Sequence, residues 1–230
     1  MSRVRALAAA LAAGAIVSVG LATPAVATPD RDPLAHLTAN QIAARAEADL
    51  VAATSVHVFS SVSVKGKIRT VINVTITRKA CAGSFGLALY GSEQFIQVGK
   101  LEWVLLTKPL LAKAGYSKAQ IARYAGKWAE ASTSSAPLGY ISCTSASLKS
   151  GLPSAGWTKG GVANVAGHRA VELSNRKKRI TAWVSDSSRP EFLKAGSGGA
   201  WTTLSRYNAR VRISPPPARD VVSLPPPPGL

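Results

Sequence analysis

The feature that most constrains the fold of this chain is a series of short segments over residues 56–106 in which apolar and polar residues alternate. On the apolar side, the first segment has four valines, Val56, Val58, Val62 and Val64. A second segment of β-branched residues follows Lys65-Gly66-Lys67. Because successive side chains of a strand point to opposite faces, this period of two predicts β-strands. Five such segments separated by turn residues predict an antiparallel meander with one apolar face, which needs a cover or a ligand.

The N-terminus is typical of a secretory signal peptide. Arg3 and Arg5 precede an apolar run over residues 6–21, and Ala25-Val26-Ala27 is a small-residue cleavage sequence. The alternative, a membrane anchor, is disfavoured because Ser18 and two glycines interrupt the run and Pro24 follows it. We therefore expect a signal peptide over residues 1–27 and a secreted or cell-envelope-associated mature protein. No cysteine stands at the cleavage site for attachment of a lipid.

The chain is strongly basic, with 28 Lys and Arg against 11 Asp and Glu and a net charge of +17. Loss of Arg3 and Arg5 with the signal peptide leaves 26 basic and 11 acidic residues, a net charge of +15. Such a surface attracts anionic wall polymers, phospholipid headgroups or nucleic acid, and secretion argues against nucleic acid as a partner. The alternative is that the basic residues serve solubility alone.

The two cysteines, Cys81 and Cys143, lie in the mature chain and are expected to form a disulfide outside the cytoplasm. Neither belongs to a C-x-x-C motif, and the three histidines are scattered. The sequence therefore predicts no metal site and no cofactor. It also contains no G-x-S-x-G elbow, H-E-x-x-H motif or phosphate-binding loop, so we expect no enzymatic activity.

Two capping boxes predict helices on either side of the meander. Thr38 with Gln41 begins an alanine-rich helix over residues 38–54, which we place across the sheet, and Ser117 with Gln120 begins a short one. Another short helix is expected at residues 108–115, and a further one within residues 140–152, after an exit segment at 127–130 and a polar loop over 132–139. Strands resume after Trp157. We expect a leader at residues 28–37, one domain at 38–213 and an extended proline-rich tail at 214–230, which is a recognition tail, a strap or a disordered end.

The order of these elements, with several short sequences, resembles the LolA-like lipoprotein-carrier superfamily and, more closely, its LppX/LprG-type cell-envelope lipid-binding branch. The sequences that show the resemblance are Ser55-Val56-His57-Val58, Trp103, Gly126-Lys127-Trp128, Ala170-Val171-Glu172-Leu173, Thr181-Ala182-Trp183-Val184, Arg189-Pro190 and Thr203-Leu204-Ser205-Arg206-Tyr207. The resemblance implies an α+β fold, a half-open antiparallel β-barrel (a curved sheet) wrapped around a few helices. It also implies an apolar cavity that binds acyl chains of lipids, glycolipids or lipoproteins, without catalysis. Members of this branch are commonly anchored through a cysteine that is missing here, whereas a disulfide between the sheet and the helical insertion agrees with relatives.

The bulky side chains of a curved sheet need a matching cover, and the alanine-rich helix supplies little volume. We therefore expect a void able to hold an acyl chain, although a slip of one residue would exchange the two faces of a strand. The predicted lining residues are Ala46, Phe59, Ile72, Val74, Leu87, Ile96, Trp103 and Trp183. The alternative is a filled core, in which case the protein binds anionic envelope surfaces through its basic face.

Overall fold

The computed structural model describes residues 32–87, 91–132 and 143–225. The predicted signal peptide, nearly all of the predicted polar loop and the last prolines of the tail lie outside these residues. Within them, the helices are α1 (Ala39–Ala52), α2 (Lys108–Lys113), α3 (Lys118–Tyr124) and α4 (Ser145–Lys149). The strands are β1 (Ser55–Val64), β2 (Lys67–Thr77), β3 (Ala80–Leu87), β4 (Gly91–Val98), β5 (Leu101–Leu105), β6 (Trp128–Ser132), β7 (Thr158–Val165), β8 (His168–Asn175), β9 (Ile180–Ser185), β10 (Phe192–Ser197), β11 (Ala200–Ser205) and β12 (Val221–Val222).

The strands form one curved sheet in the order β12-β6-β5-β4-β3-β2-β1-β11-β10-β9-β8-β7. The two halves of the chain meet where β1 pairs with β11, with Val58 opposite Leu204. The sheet stays open, with β12 and β7 at its edges, so the predicted half-open α+β architecture is confirmed and the barrel is not closed. One pair departs from the antiparallel pattern, since β12 runs parallel to β6.

Both predicted capping boxes are present. The Thr38 hydroxyl accepts a hydrogen bond from the Gln41 backbone amide at 3.3 Å, and the Gln41 side chain accepts one from the Thr38 amide at 2.9 Å. Ser117 and Gln120 repeat the arrangement at the same two distances. These bonds satisfy backbone amides that have no partner within the helix, which fixes where α1 and α3 begin.

The predicted exit segment around Trp128 is a strand instead. Residues 128–132 form β6, which pairs with β5 on one side and with β12 on the other. The segment is too short to show a clear alternation in the sequence. Its strand conformation comes from the long-range backbone pairing with β5.

The chain after β11 forms a strap, defined here as residues 208–225, that is attached at both ends. At its start the Asn208 amide donates to the Ser55 carbonyl at 2.9 Å, and the Asn208 side chain accepts from the Thr54 amide at 2.9 Å. Near its end, Val222 and Leu224 pack against the cluster of Leu106, Leu111 and Tyr116. The Tyr116 hydroxyl donates to the Pro225 carbonyl at 2.7 Å. The described part of the proline-rich segment therefore lies on the domain as a strap.

The main core lies between α1 and one face of the sheet, called the inner face below. Ile42, Ala46 and Leu50 of α1 are fully buried there, together with strand residues such as Val58 and Val74. Burying a side chain of leucine or isoleucine size contributes about 1.5–3 kcal/mol, so this contact is a major source of stability. The helix thus covers the part of the inner face that contains these residues.

Candidate functional site

The candidate site is a cavity of about 250 Å³, partly open to solvent, between the inner face of β9–β11 and the helices α1 and α4. Cross-strand pairing places Ala195 of β10 opposite Thr202 of β11 and Ala182 of β9, so these residues share the inner face. The residues that line the cavity are Leu50, Leu148, Gly151, Leu152, Ile180, Ala195, Gly196, Ser197, Ala200, Thr202 and Leu204.

The cavity exists because its floor is built from small residues. Ala195 and Ala200 stand at inner-face positions where larger side chains would fill the space under Leu50 and Leu148. Gly196 pairs with Trp201, so a side chain at this position would point to the outer face. Glycine is required at 196, since a Cβ there would lie 2.1 Å from the Ala200 carbonyl oxygen. The β10–β11 hairpin therefore leaves a gap that the helices cover but do not occupy.

The chemistry of the lining suits an alkyl chain. Its large side chains are Leu50, Leu148, Leu152, Ile180 and Leu204. The Thr202 hydroxyl is already paired with the Ser60 hydroxyl at 2.9 Å, so it does not require a water molecule in the cavity. A volume of about 250 Å³ lies just below the range of roughly 300–1,000 Å³ typical of small-molecule sites, so the space is large enough for only one section of an alkyl chain.

Three of the predicted lining residues belong to the core of the inner face. Ala46 and Val74 are buried, and Ile72 packs against the same core. None of the three lines the cavity beneath α4. Leu87 pairs with Thr70 in the ladder between β2 and β3.

The other four predicted residues, Phe59, Ile96, Trp103 and Trp183, lie on the opposite, outer face. Phe59 pairs with Thr203 and is 40% exposed, while its neighbour Val58 is the residue that points into the core. On β4, β5 and β9 the inward positions are likewise shifted by one, to Phe95, Val104 and Ala182. Our interpretation of which side of these strands faces inward was therefore wrong, by the single-residue slip that exchanges faces.

Polar partners explain how tryptophans remain on the outer face. The Trp103 indole nitrogen donates to the Glu130 carboxylate at 2.9 Å. The rings of Trp183 and Trp201 lie 5.5 Å apart, and the Lys194 ammonium sits 5.4 Å and 4.6 Å from their centroids. Cation–π contacts and a hydrogen-bonded indole favour positions where one side of the ring meets polar groups. Large size alone was a poor guide to the inner face.

The alternation Ile180, Ala182, Val184 was visible in the sequence and could have located the β9 part of the cavity. Leu148 and Leu152 gave no such signal, because α4 is only five residues long and shows no helical period. The gap under α4 depends on how β10 and β11 pair, which is a long-range property.

A buried carboxyl group lies elsewhere on the inner face. Glu102 of β5 is 2% exposed, pairs with Gln97 of β4, and its Oε1 has no hydrogen-bond partner among the described residues. Burial raises the pKa of Glu102, because the charged form loses its hydration. Burial therefore favours the neutral acid over the carboxylate more than it would at an exposed glutamate.

The predicted disulfide is confirmed. Cys81 of β3 is bonded to Cys143, just before α4, with Cα atoms 5.4 Å apart. The bond attaches the segment that leads into α4 to the middle of the sheet. It thereby helps to fix the helix that covers the cavity.

Comparisons with known proteins agree with this architecture. The crystal structure of LprF from Mycobacterium bovis superposes with a TM-score of 0.53 and 16% identity, over 77% of this chain and 96% of that one. This chain has the LprF fold. The Mycobacterium tuberculosis lipoprotein LppX is 15% identical over 76% of this chain and 98% of its own, with a TM-score of 0.48. No protein-family model matches the chain, and no curated protein sequence matches it.

The fold that the resemblance implies is thus confirmed. At 16% identity, the likeness to LprF shows the fold alone. In the described part of this LprF-like chain, no group of three or more His, Cys, Asp and Glu is arranged to hold a metal ion. No helix in the same part is long and apolar enough to cross a membrane.

Proposed function

We propose that this protein is a secreted, non-enzymatic carrier that binds an acyl chain of a lipid, glycolipid or lipoprotein on the inner face of its sheet. The observation that supports the proposal is the apolar cavity between α1, α4 and strands β9–β11. The LprF fold and the resemblance of the sequence to the LppX/LprG-type branch agree with it. The disulfide suits an oxidising compartment outside the cytoplasm.

The energetics favour an apolar occupant. Most of the lining is aliphatic, so it offers few polar groups to hold ordered water that an entering chain would have to displace. Each methylene group transferred from water into such a site contributes about 0.8 kcal/mol. Leu50, Leu148 and Leu204 surround the space from both the helices and the sheet.

A second candidate function is binding to anionic envelope polymers through the basic surface, with a filled core. Two observations favour it: Ala46 and Val74 are buried in the main core, and the chain has a net charge of +17. In that case the cavity under α4 takes up no lipid. Lipid binding by a variant that fills this cavity distinguishes between the two functions.

The test is the substitution Ala200→Phe, compared with wild type for the binding of a fluorescent fatty acyl probe. Ala200 is the first residue of β11 and is only partly buried, so its side chain can be enlarged at the cavity wall without entering the core. The matched control is Ala163→Phe, at an exposed position of β7 away from the cavity. We expect affinity for the probe to fall at least tenfold in the first variant and to stay unchanged in the second.

Mass spectrometry of an organic extract of the purified protein supplies a second measurement. The carrier hypothesis predicts a co-purifying lipid in the wild type and its loss in Ala200→Phe. Equal probe binding by wild type and Ala200→Phe, with no lipid in either extract, would contradict it and favour binding through the basic surface.

A further inference from the structure

A second cleft lies between the strap and the ends of strands β2–β4, separate from the acyl-chain cavity. Its volume is about 770 Å³, and its lining includes Thr54, Thr77, Arg78, Lys79, Ala80, Val98 and residues 208–213. A smaller cleft of about 470 Å³ shares Arg78, Lys79 and Val98 with it. We call the larger one the strap cleft.

The strap cleft is lined by four cationic residues, Arg78, Lys79, Arg210 and Arg212, and by no carboxylate. All four are exposed. In the described part of the chain, Lys79, Arg210 and Arg212 have no ion pair. Four positive charges without a counter-charge create a potential that attracts an anion.

Hydrogen bonds fix the backbone of the strap just before Arg210. The Ser55 hydroxyl donates to the Ala209 carbonyl at 2.8 Å, next to the two bonds that fix Asn208. Asn208 has a φ of 56°, a left-handed conformation that asparagine tolerates better than most residues. On the other wall, the Arg78 guanidinium donates to the Ala52 carbonyl at 3.0 Å. Because the strap is attached before the cleft and again at β12, the cleft does not have to form when a ligand arrives.

The lining also mixes charge with exposed apolar surface. Val211, between Arg210 and Arg212 in the sequence, is 43% exposed, and the half-buried Val98 and Ile213 also belong to the lining. A free phosphate ion would use only the charges. A phospholipid at a bilayer surface uses both, since guanidinium groups bind its phosphate oxygens in a forked geometry while aliphatic side chains meet the acyl region.

We propose that the strap cleft docks the protein on anionic membranes by binding the phosphate of a lipid headgroup. The docking is independent of the acyl-chain cavity. A failure of one proposal therefore leaves the other standing, and the two are measured by different probes.

The experiment measures co-sedimentation of the purified protein with phosphatidylcholine vesicles that contain or lack phosphatidylglycerol. The test variant is Arg210→Gln/Arg212→Gln. The matched control is Arg176→Gln/Lys177→Gln, which removes the same net charge from the exposed β8–β9 turn. Because each basic residue near an anionic surface strengthens binding several-fold, we expect roughly tenfold or greater weakening in the test variant and a much smaller effect in the control.

A third variant, Arg210→Lys/Arg212→Lys, keeps the charge but removes the forked donors, and we expect intermediate binding. Thermal melting and binding of the fatty acyl probe serve as controls for folding, and we expect both to be unchanged in all three variants. Equal weakening in the test and control variants would overturn the proposal in favour of diffuse attraction by the whole basic surface. Cleft-dependent binding of inorganic phosphate, with vesicle binding unaffected by the substitutions, would overturn the assignment to a lipid headgroup.

Discussion

At the scale of single residues, Gly83 marks a point where the sheet leaves no room for a side chain. It pairs with Val74 and with Phe95. A Cβ at this position would lie 2.0 Å from the Asn73 carbonyl oxygen and 2.6 Å from the Val74 Cα. Both atoms belong to the backbone of β2, so they cannot move aside as a flexible side chain would.

We therefore predict that Gly83→Ala lowers the free energy of unfolding by about 2 kcal/mol, within the usual cost of overpacking. Urea denaturation of the purified protein measures this. Gly161→Ala is the control, because a Cβ at Gly161 meets nothing within 4 Å. Similar stabilities for the two variants would show that β2 and β3 separate there at little cost.

The buried carboxyl of Glu102 makes a prediction about pH. Burial raises the pKa of Glu102 in the folded state above the value in the unfolded chain, so the folded protein holds this proton more tightly. Because the folded state binds this proton more tightly, the free energy of unfolding falls as pH rises through the unfolded-state pKa. It becomes constant above the folded-state pKa. The penalty is absent at acidic pH, where the group is protonated in both states.

The variant Glu102→Gln has no such titration. We expect the free energy of unfolding of the wild type, relative to that of the variant, to decrease as pH rises from about 4. Urea denaturation at a series of pH values gives this difference, in which the other carboxyl groups cancel. A difference that is constant with pH would mean that Glu102 is hydrated or paired in the folded protein.

At the scale of elements, local chemistry made α1, α3 and the meander predictable. Capping boxes are short-range signals, since Thr38 and Gln41 satisfy each other's backbone within four residues. The alternation of valines in β1 is local as well. By contrast, β6 and β12 are strands because they pair with segments distant in sequence. Their few residues contain no local pattern that predicts a strand.

The main error in predicting the elements was the choice of which strand residues face the core. In β1, the alternation of Val56, Val58 and Val62 already favours Val58 as the residue that faces the core, whereas Phe59 was predicted there because of its size. The register with β2 and β11 agrees with the alternation, because it puts Val58 beside Val74 and Leu204. Half of the predicted lining lies on the outer face because large side chains were preferred over the side that the alternation indicates.

At the scale of the whole molecule, the order of elements sufficed to indicate the LprF-like fold, whereas the position of the cavity was not predictable. The cavity depends on how small residues of one hairpin meet a five-residue helix that lies far away in the sequence. That helix follows directly on the half-cystine Cys143. The disulfide therefore links the global stability of the fold to the cover of the candidate site.

The disulfide joins residues 62 apart in sequence and encloses β4–β6 together with α2 and α3. In the chain-entropy model, a cross-link that closes a loop of this length stabilises the folded state by about 4 kcal/mol, because it restricts the unfolded chain. We predict that reduction lowers the free energy of unfolding by about this amount, as measured by urea denaturation of the wild-type protein with and without reductant. Since both samples have the same sequence, no side-chain cavity complicates the comparison. The control is Cys81→Ala/Cys143→Ala, whose stability should not change when reductant is added.

Reduction should also weaken binding of the fatty acyl probe, because the segment leading into α4 loses its attachment to β3. Stability that is unchanged by reduction would mean that packing alone holds this segment on the sheet.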